Sequence, residues 1–246
     1  MANQIETTFE IETRDGRMEC FATRPAGSTA LPPIILYMDA PGIREELRRF
    51  CRRIAEQDYY VLLPDLYYRL GRVRFEGQPL EGEVRKRVFE AMRSLDNGLV
   101  MQDTEAMLGA LDADFAVRDG VVGCIGYCMS GQYVVSAAGT FPERFAASAS
   151  LYGVGIVTDK SDSPHLLADR IRGELYLGFA ERDDYVPDRV IPELQAALDR
   201  HGVSYQLDVW PGTGHGFCFP ERDAYVEDAA EKVWGRVFEL FKRRLV

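Results

Sequence analysis

Among the residues able to do chemistry, Cys128 has the most informative setting, the hexapeptide Gly126-Tyr127-Cys128-Met129-Ser130-Gly131. The apolar run at 121–125 before it reads as a buried strand, and 132–138 after it reads as the first turns of a helix. A strand that turns directly into a helix through a small-x-nucleophile-x-small bend presents the central side chain at its apex. Gly126 and Ser130 are the small flanking residues that so tight a bend requires. A thiol at the apex points to acyl transfer through a thioester. The bland alternative is a buried, inert thiol, which is the reading for Cys124. Ser130 is a rival nucleophile, but it stands one step into the helix, with its hydroxyl turned from the apex.

A nucleophile needs a base, and the base an orienting partner. His215, in Gly212-Thr213-Gly214-His215-Gly216-Phe217, follows the last predicted strand and is the histidine placed for catalysis. His201 at a helix end and His165 in a polar segment read as solvated. Asp183 and Asp184 follow the predicted strand 174–179, and either could orient the base or cap the helix beginning near Asp188.

The elements that must position these groups alternate along the chain. Residues 5–24 read as a hairpin turning at Asp15-Gly16. Strands follow at 34–38 and 60–63, with a helix at about 44–57 between them. The loop 65–82 leads to two helical stretches that end near 114 and break at Asp96-Asn97-Gly98. Strand 121–126, helix 131–139, strand 145–151, a polar insertion at about 158–173 and strand 174–179 come next. Helix 189–201, strand 203–210, a loop at 211–216 and a helix at about 222–244 complete the chain. This alternation predicts a mainly parallel, doubly wound α/β sheet with an N-terminal antiparallel hairpin, in one domain over 1–246. Catalytic groups in such sheets sit in loops at the carboxyl ends of strands.

Composition removes whole classes of function. A formal net charge of -10 opposes a nucleic-acid or anionic-membrane partner. No apolar run approaches the roughly 18 residues of a membrane span. The N-terminus lacks the pattern of a signal peptide. Five cysteines without paired spacing read as reduced thiols in a cytoplasmic protein. With three histidines and no CxxC, neither a metal nor any other cofactor is expected.

The order nucleophile, acid, histidine is that of the α/β-hydrolase fold, and the chain resembles the dienelactone hydrolase family within it. The resembling segments are Pro64-Asp65-Leu66-Tyr67, the Cys128 hexapeptide, Leu151-Tyr152-Gly153-Val154-Gly155, the stretch 178–187 (GFAERDDYVP) and the His215 loop. The resemblance implies the triad Cys128, Asp183 and His215; Asp183 is chosen over Asp184 because the family's acid precedes Val-Pro by three residues. It implies oxyanion donors at the backbone N–H of Ala40 and Met129, Pro41 having none to offer. Dienelactone hydrolases carry at the place of Asp39 a glutamate that contacts the resting thiol; the resemblance implies that Asp39, one methylene shorter, gates the thiol or reaches it only through water. Substrate-binding residues are expected at Arg85, Phe89, Tyr152 and Phe219. The family holds a substrate carboxylate between two arginines, and one of those positions is Phe219 here, so the expected ester or lactone is more apolar.

The expected reaction is carboxylic ester or lactone hydrolysis by a monomer or homodimer. The alternatives are a phosphotriester or amide substrate, which the same attack geometry serves, and a redox- or electrophile-sensing role for Cys128.

Overall fold

In the computed structural model, residues 3–27, 30–75 and 80–246 are described; part of the loop 65–82, at 76–79, lies outside them. The contacts gather into two compact units, Met1–Gly120 and Val121–Val246.

In the first unit, β1 (Gln4–Thr13) and β2 (Gly16–Pro25) form the expected antiparallel hairpin, closed where Thr13 pairs with Gly16. Asp15 lies in the turn, and Gly16 takes φ 137°, a value that L side chains rarely adopt. β2 pairs antiparallel with β4 (Tyr60–Pro64), and β4 pairs parallel with β3 (Pro33–Tyr37), in the order β1-β2-β4-β3. β3 and β4 are buried at every residue, which is why both read as continuous apolar runs rather than alternations. Between them α1 (Glu45–Ala55) buries Leu47, Phe50, Cys51 and Ile54, the stripe expected of a helix with one face on a sheet.

The break in the next helical stretch falls slightly earlier than its turn-forming residues suggest. α2 (Gly82–Arg93) ends before Asp96, and Asn97 and Gly98 open α3 (Asn97–Asp112). The reason is capping: Asp96 Oδ1 accepts the Leu99 N–H at 2.8 Å. Such a cap contributes about 1 kcal/mol, enough to draw the poor helix formers Asn97 and Gly98 into the first turn.

In the second unit β5 (Val122–Tyr127), β6 (Phe145–Leu151), β7 (Glu174–Arg182) and β8 (Tyr205–Gly214) lie in that order, every neighbouring pair parallel. α4 (Gly131–Thr140) and α5 (Val190–Arg200) share a core with the sheet that includes Val135, Leu175, Leu177, Phe179, Leu194 and Leu198. α6 (Glu227–Leu245) buries Trp234, Val237, Leu240 and Phe241.

Two further boundaries differ from expectation. β8 runs on through Pro211-Gly212-Thr213 to Gly214, where a loop was expected. Its continuation is held by Arg182 of a correspondingly longer β7, which pairs with Gly214 after a bulge, and proline tolerates such an edge strand. The last helix starts at Glu227 rather than near Arg222, because 215–226 is folded into turns, including Phe217 N–H to Gly214 and Val226 N–H to Phe217. Among the described residues no helix is long and apolar enough to cross a membrane.

Candidate active site

Cys128 lies between β5 and α4, with φ +53°. That value is strained for a residue with a side chain, and such strain persists where the surroundings over-determine it. Small residues make the bend possible. A Cβ at Gly126 would fall 2.7 Å from the Ser130 carbonyl oxygen, and one at Gly131 would fall 2.2 Å from the Gly153 Cα. The Gly153 segment is tied to the bend, since the Val154 N–H donates to the Cys128 carbonyl at 2.9 Å. Tyr127 and Met129 are buried on either side of Cys128, which keeps partial exposure. Ser130 is fully buried, so the apex belongs to the thiol. The following helix directs its N-terminal N–H groups toward this end, an environment that favours negative charge.

Asp183 and His215 are each the first residue beyond their strands, β7 and β8. Asp183 Oδ2 lies 2.7 Å from His215 Nδ1, and both side chains are almost wholly buried. The second carboxylate oxygen of Asp183 accepts the Tyr185 N–H at 3.0 Å, which fixes the carboxyl plane. Asp184 takes no part in this pair. Burial, the largest single influence on the His215 pKa, pulls it down, but the hydrogen bond to Asp183 and the neighbouring Cys128 outweigh it and lift the value to about 9. The thiol is thus near enough to act on the ring, yet Nε2 makes no hydrogen bond of ordinary geometry among the described residues. Among the described residues the imidazole is thus hydrogen-bonded through Nδ1 alone.

An aromatic cluster backs the imidazole. The Tyr152 ring stands edge-on to it at 5.1 Å and packs 5.4 Å from Phe217, while Phe219 packs 5.1 Å from Tyr127. Tyr152 and Phe219 are both fully buried, and the Arg222 guanidinium covers the Phe219 ring at 4.5 Å. Tyr185 was missed by sequence reasoning. It lies 4.7 Å from the His215 ring and is 42% exposed. Its only signal was its place two residues after Asp183. His165 bonds Ser163 at 2.8 Å and His201 follows α5, both outside this constellation.

The expected residues of the first unit occupy two places. Asp39 and Ala40 follow β3; Asp39 is fully buried, whereas Ala40 is the one residue of 31–44 that is not. Both Asp39 oxygens accept from Arg44, at 2.5 and 3.2 Å. Arg85 is exposed on α2 with its guanidinium 5.6 Å from the half-buried Phe89 ring one turn on.

The dienelactone hydrolase family model matches residues 18–245, across both units. This chain belongs to the dienelactone hydrolase family. A Synechocystis sp. relative named as a candidate carboxymethylenebutenolidase is 27% identical over the full length of both chains. A solved candidate dienelactone hydrolase from Klebsiella pneumoniae superposes with TM-score 0.86 at 22% identity, covering 98% of this chain and 99% of the other. A dienelactone hydrolase-like promiscuous phosphotriesterase from metagenomic libraries gives TM-score 0.80 at 20% identity over 98% and 99%. The dienelactone hydrolase family carries the α/β-hydrolase fold, mainly parallel with an antiparallel N-terminal hairpin, and its members are hydrolases.

Proposed function

We propose that this member of the dienelactone hydrolase family hydrolyses a carboxylic ester or lactone through a Cys128–His215–Asp183 triad and a thioester acyl-enzyme. The observation that carries the reading is the buried Asp183–His215 pair, in the unit that also presents Cys128 at a strained apex. In the proposed cycle the Cys128 thiolate attacks the carbonyl carbon and the leaving alkoxide takes a proton from His215. Water, deprotonated by His215, then cleaves the thioester and the thiolate re-forms. Asp183 holds the imidazole tautomer and stabilises the imidazolium. The backbone N–H groups of Ala40 and Met129 receive the tetrahedral oxyanion, a contribution of roughly 3–4 kcal/mol per donor in comparable sites. Asp39 gates the thiol.

The proposed substrate is an ester or lactone more apolar than dienelactone. Phe219 offers no charge to an anion and is buried with Tyr152 in the cluster behind His215, where both shape the acyl site from beneath. Arg85 with Phe89 is then the contact for any distant carboxylate. We further propose that the two units act as one domain in a cytoplasmic enzyme, monomeric or homodimeric. A second reading, phosphotriester hydrolysis by the same nucleophile, is favoured by the activity named for one structural relative.

A panel of short-chain aryl esters and a phosphotriester, assayed with the parent protein and Cys128→Ala, tests the proposal. Ester turnover that vanishes in the variant is expected. No turnover of any ester, together with rapid alkylation of Cys128, would replace hydrolysis by electrophile sensing.

A further inference from the structure

The pairing of β7 with β8 is irregular at one place, just before the residues that carry the acid and the imidazole. Ala180 pairs with Trp210 and Arg182 with Gly214, so Glu181 alone on β7 faces Pro211, Gly212 and Thr213 on β8. The irregularity advances β8 by two residues against its partner. If the register of Ala180 and Trp210 simply continued, Asp183 would stand level with Thr213. His215 would then lie roughly 6–7 Å further along the strand, out of reach of the carboxylate that it meets at 2.7 Å. Side chains alternate with period two, so an advance of two residues brings His215 level with Asp183 without turning it to the other face.

Side chains hold this irregularity. Thr213 is 1% exposed, and its hydroxyl donates to the Trp210 carbonyl at 2.7 Å and accepts the Glu181 N–H at 3.3 Å. The Glu181 carboxylate accepts the Gly212 N–H at 3.0 Å, and Gly212 takes φ +75°, where glycine is favoured. One buried oxygen thus ties the start of the extra stretch on β8 to the residue of β7 that faces it. Without that hydroxyl, two backbone groups would lose a partner that water does not readily replace in a buried site. Glu181 is exposed, so water can take over its bond to Gly212.

We infer that Thr213 is a positioning residue for the Asp183–His215 pair: its buried hydroxyl fixes the advance of β8 that sets the imidazole opposite its carboxylate. This rests on the acid–base role proposed above for that pair. A misplacement of about 1 Å in such a group costs on the order of 100-fold in rate while the substrate still binds.

Thr213→Val removes the hydroxyl and keeps the shape of the side chain; Thr213→Ser keeps the hydroxyl. In Thr213→Val the NMR titration midpoint of the His215 ring is expected to fall below about 8, because the ring loses its carboxylate. The kcat on 4-nitrophenyl butyrate should fall by roughly 10- to 100-fold, with KM within about threefold. Thr213→Ser should keep the parent's midpoint, with kcat within about threefold. A valine variant that melts at a lower temperature but keeps the parent's midpoint and kcat would make the hydroxyl merely structural and overturn the inference. A serine variant that behaves like the valine one would overturn it too. Glu181→Ala, at an exposed position, covers the case in which Thr213→Val does not fold: a fall in kcat of roughly two- to fivefold at constant KM supports the inference, and no fall overturns it. If the parent protein turns over no ester, the hydrolase reading fails, but the His215 midpoint still reports on the pair, so the two failures are distinguishable.

Discussion

Asp183 Oδ2 and His215 Nδ1 lie 2.7 Å apart because their strands pair in register, Arg182 opposite Gly214, and each functional residue is the next one along. The sheet thus brings the carboxylate and the imidazole together without a long loop between them. Nε2 of the same ring is buried and has no hydrogen-bond partner among the described residues.

Removing the thiol should be far more costly than removing the neighbouring hydroxyl. Cys128→Ala is expected to lower kcat on an aryl ester by on the order of 10⁴-fold or more, as deletions of a catalytic nucleophile do. Ser130→Ala, at a buried site, should change kcat by less than about tenfold if the fold holds. Activity that survives the first change and disappears with the second would make Ser130 the nucleophile.

His215 should titrate well above an ordinary histidine. An imidazole whose pKa is raised on folding, here from 6.5 to about 9, holds its proton more tightly in the native state. Its stabilising contribution is therefore complete below about pH 6.5 and is lost as pH climbs through about 9. NMR titration of the His215 ring should show a midpoint near 9, and Asp183→Asn should lower it. A midpoint at or below 6.5 in the parent protein would show that Asp183 and Cys128 do not act on the ring as described.

Progress curves with an activated aryl ester should show a burst of one product per Cys128, followed by a slower steady state. In the proposed mechanism the thioester should accumulate, because its hydrolysis needs a water molecule to enter after the alcohol leaves. Mass spectrometry of a rapidly quenched reaction should find the acyl group on Cys128. Curves that are linear from the first turnover would place the slow step before acylation.

Gly131→Ala should destabilise the second unit by about 1–3 kcal/mol, the range for overpacking, and distort the Cys128 bend. Its Cβ would meet backbone, the Gly153 Cα at 2.2 Å, rather than a movable side chain. Urea unfolding would measure the loss. An unchanged midpoint would mean that the two segments separate at little cost.

Arg69→Met should cost about 3–5 kcal/mol, because it would strand a buried carboxylate. Asp103 is almost wholly buried and receives both Arg69 Nη groups at 2.8 Å, with Tyr68 donating a third bond at 2.8 Å. Combining Arg69→Met with Asp103→Asn is expected to recover part of that loss in the same unfolding experiment. No recovery would assign the cost to packing of the arginine stem instead.

Much of this was legible from residue order because local patterning carries it. Continuous apolar runs announced β3, β4 and β5, and a stripe of Leu47, Phe50, Cys51 and Ile54 announced α1. The small residues around Cys128 announced the bend, since no larger side chain fits there. Other features have no local signature. β8 continues through Pro211 because a bulged partner strand holds it, and α6 starts late because the 215–226 turns occupy the residues before it. The packing of Phe219 against Tyr127 and Tyr152 has no local signature either. The engagement of Asp39 by Arg44 was equally unreadable, because five residues of sequence separation say nothing about where a long side chain turns. Periodicity and side-chain size decide which elements form and where the chain can bend. Strand register and burial decide which side chains meet, because those depend on neighbours remote in sequence.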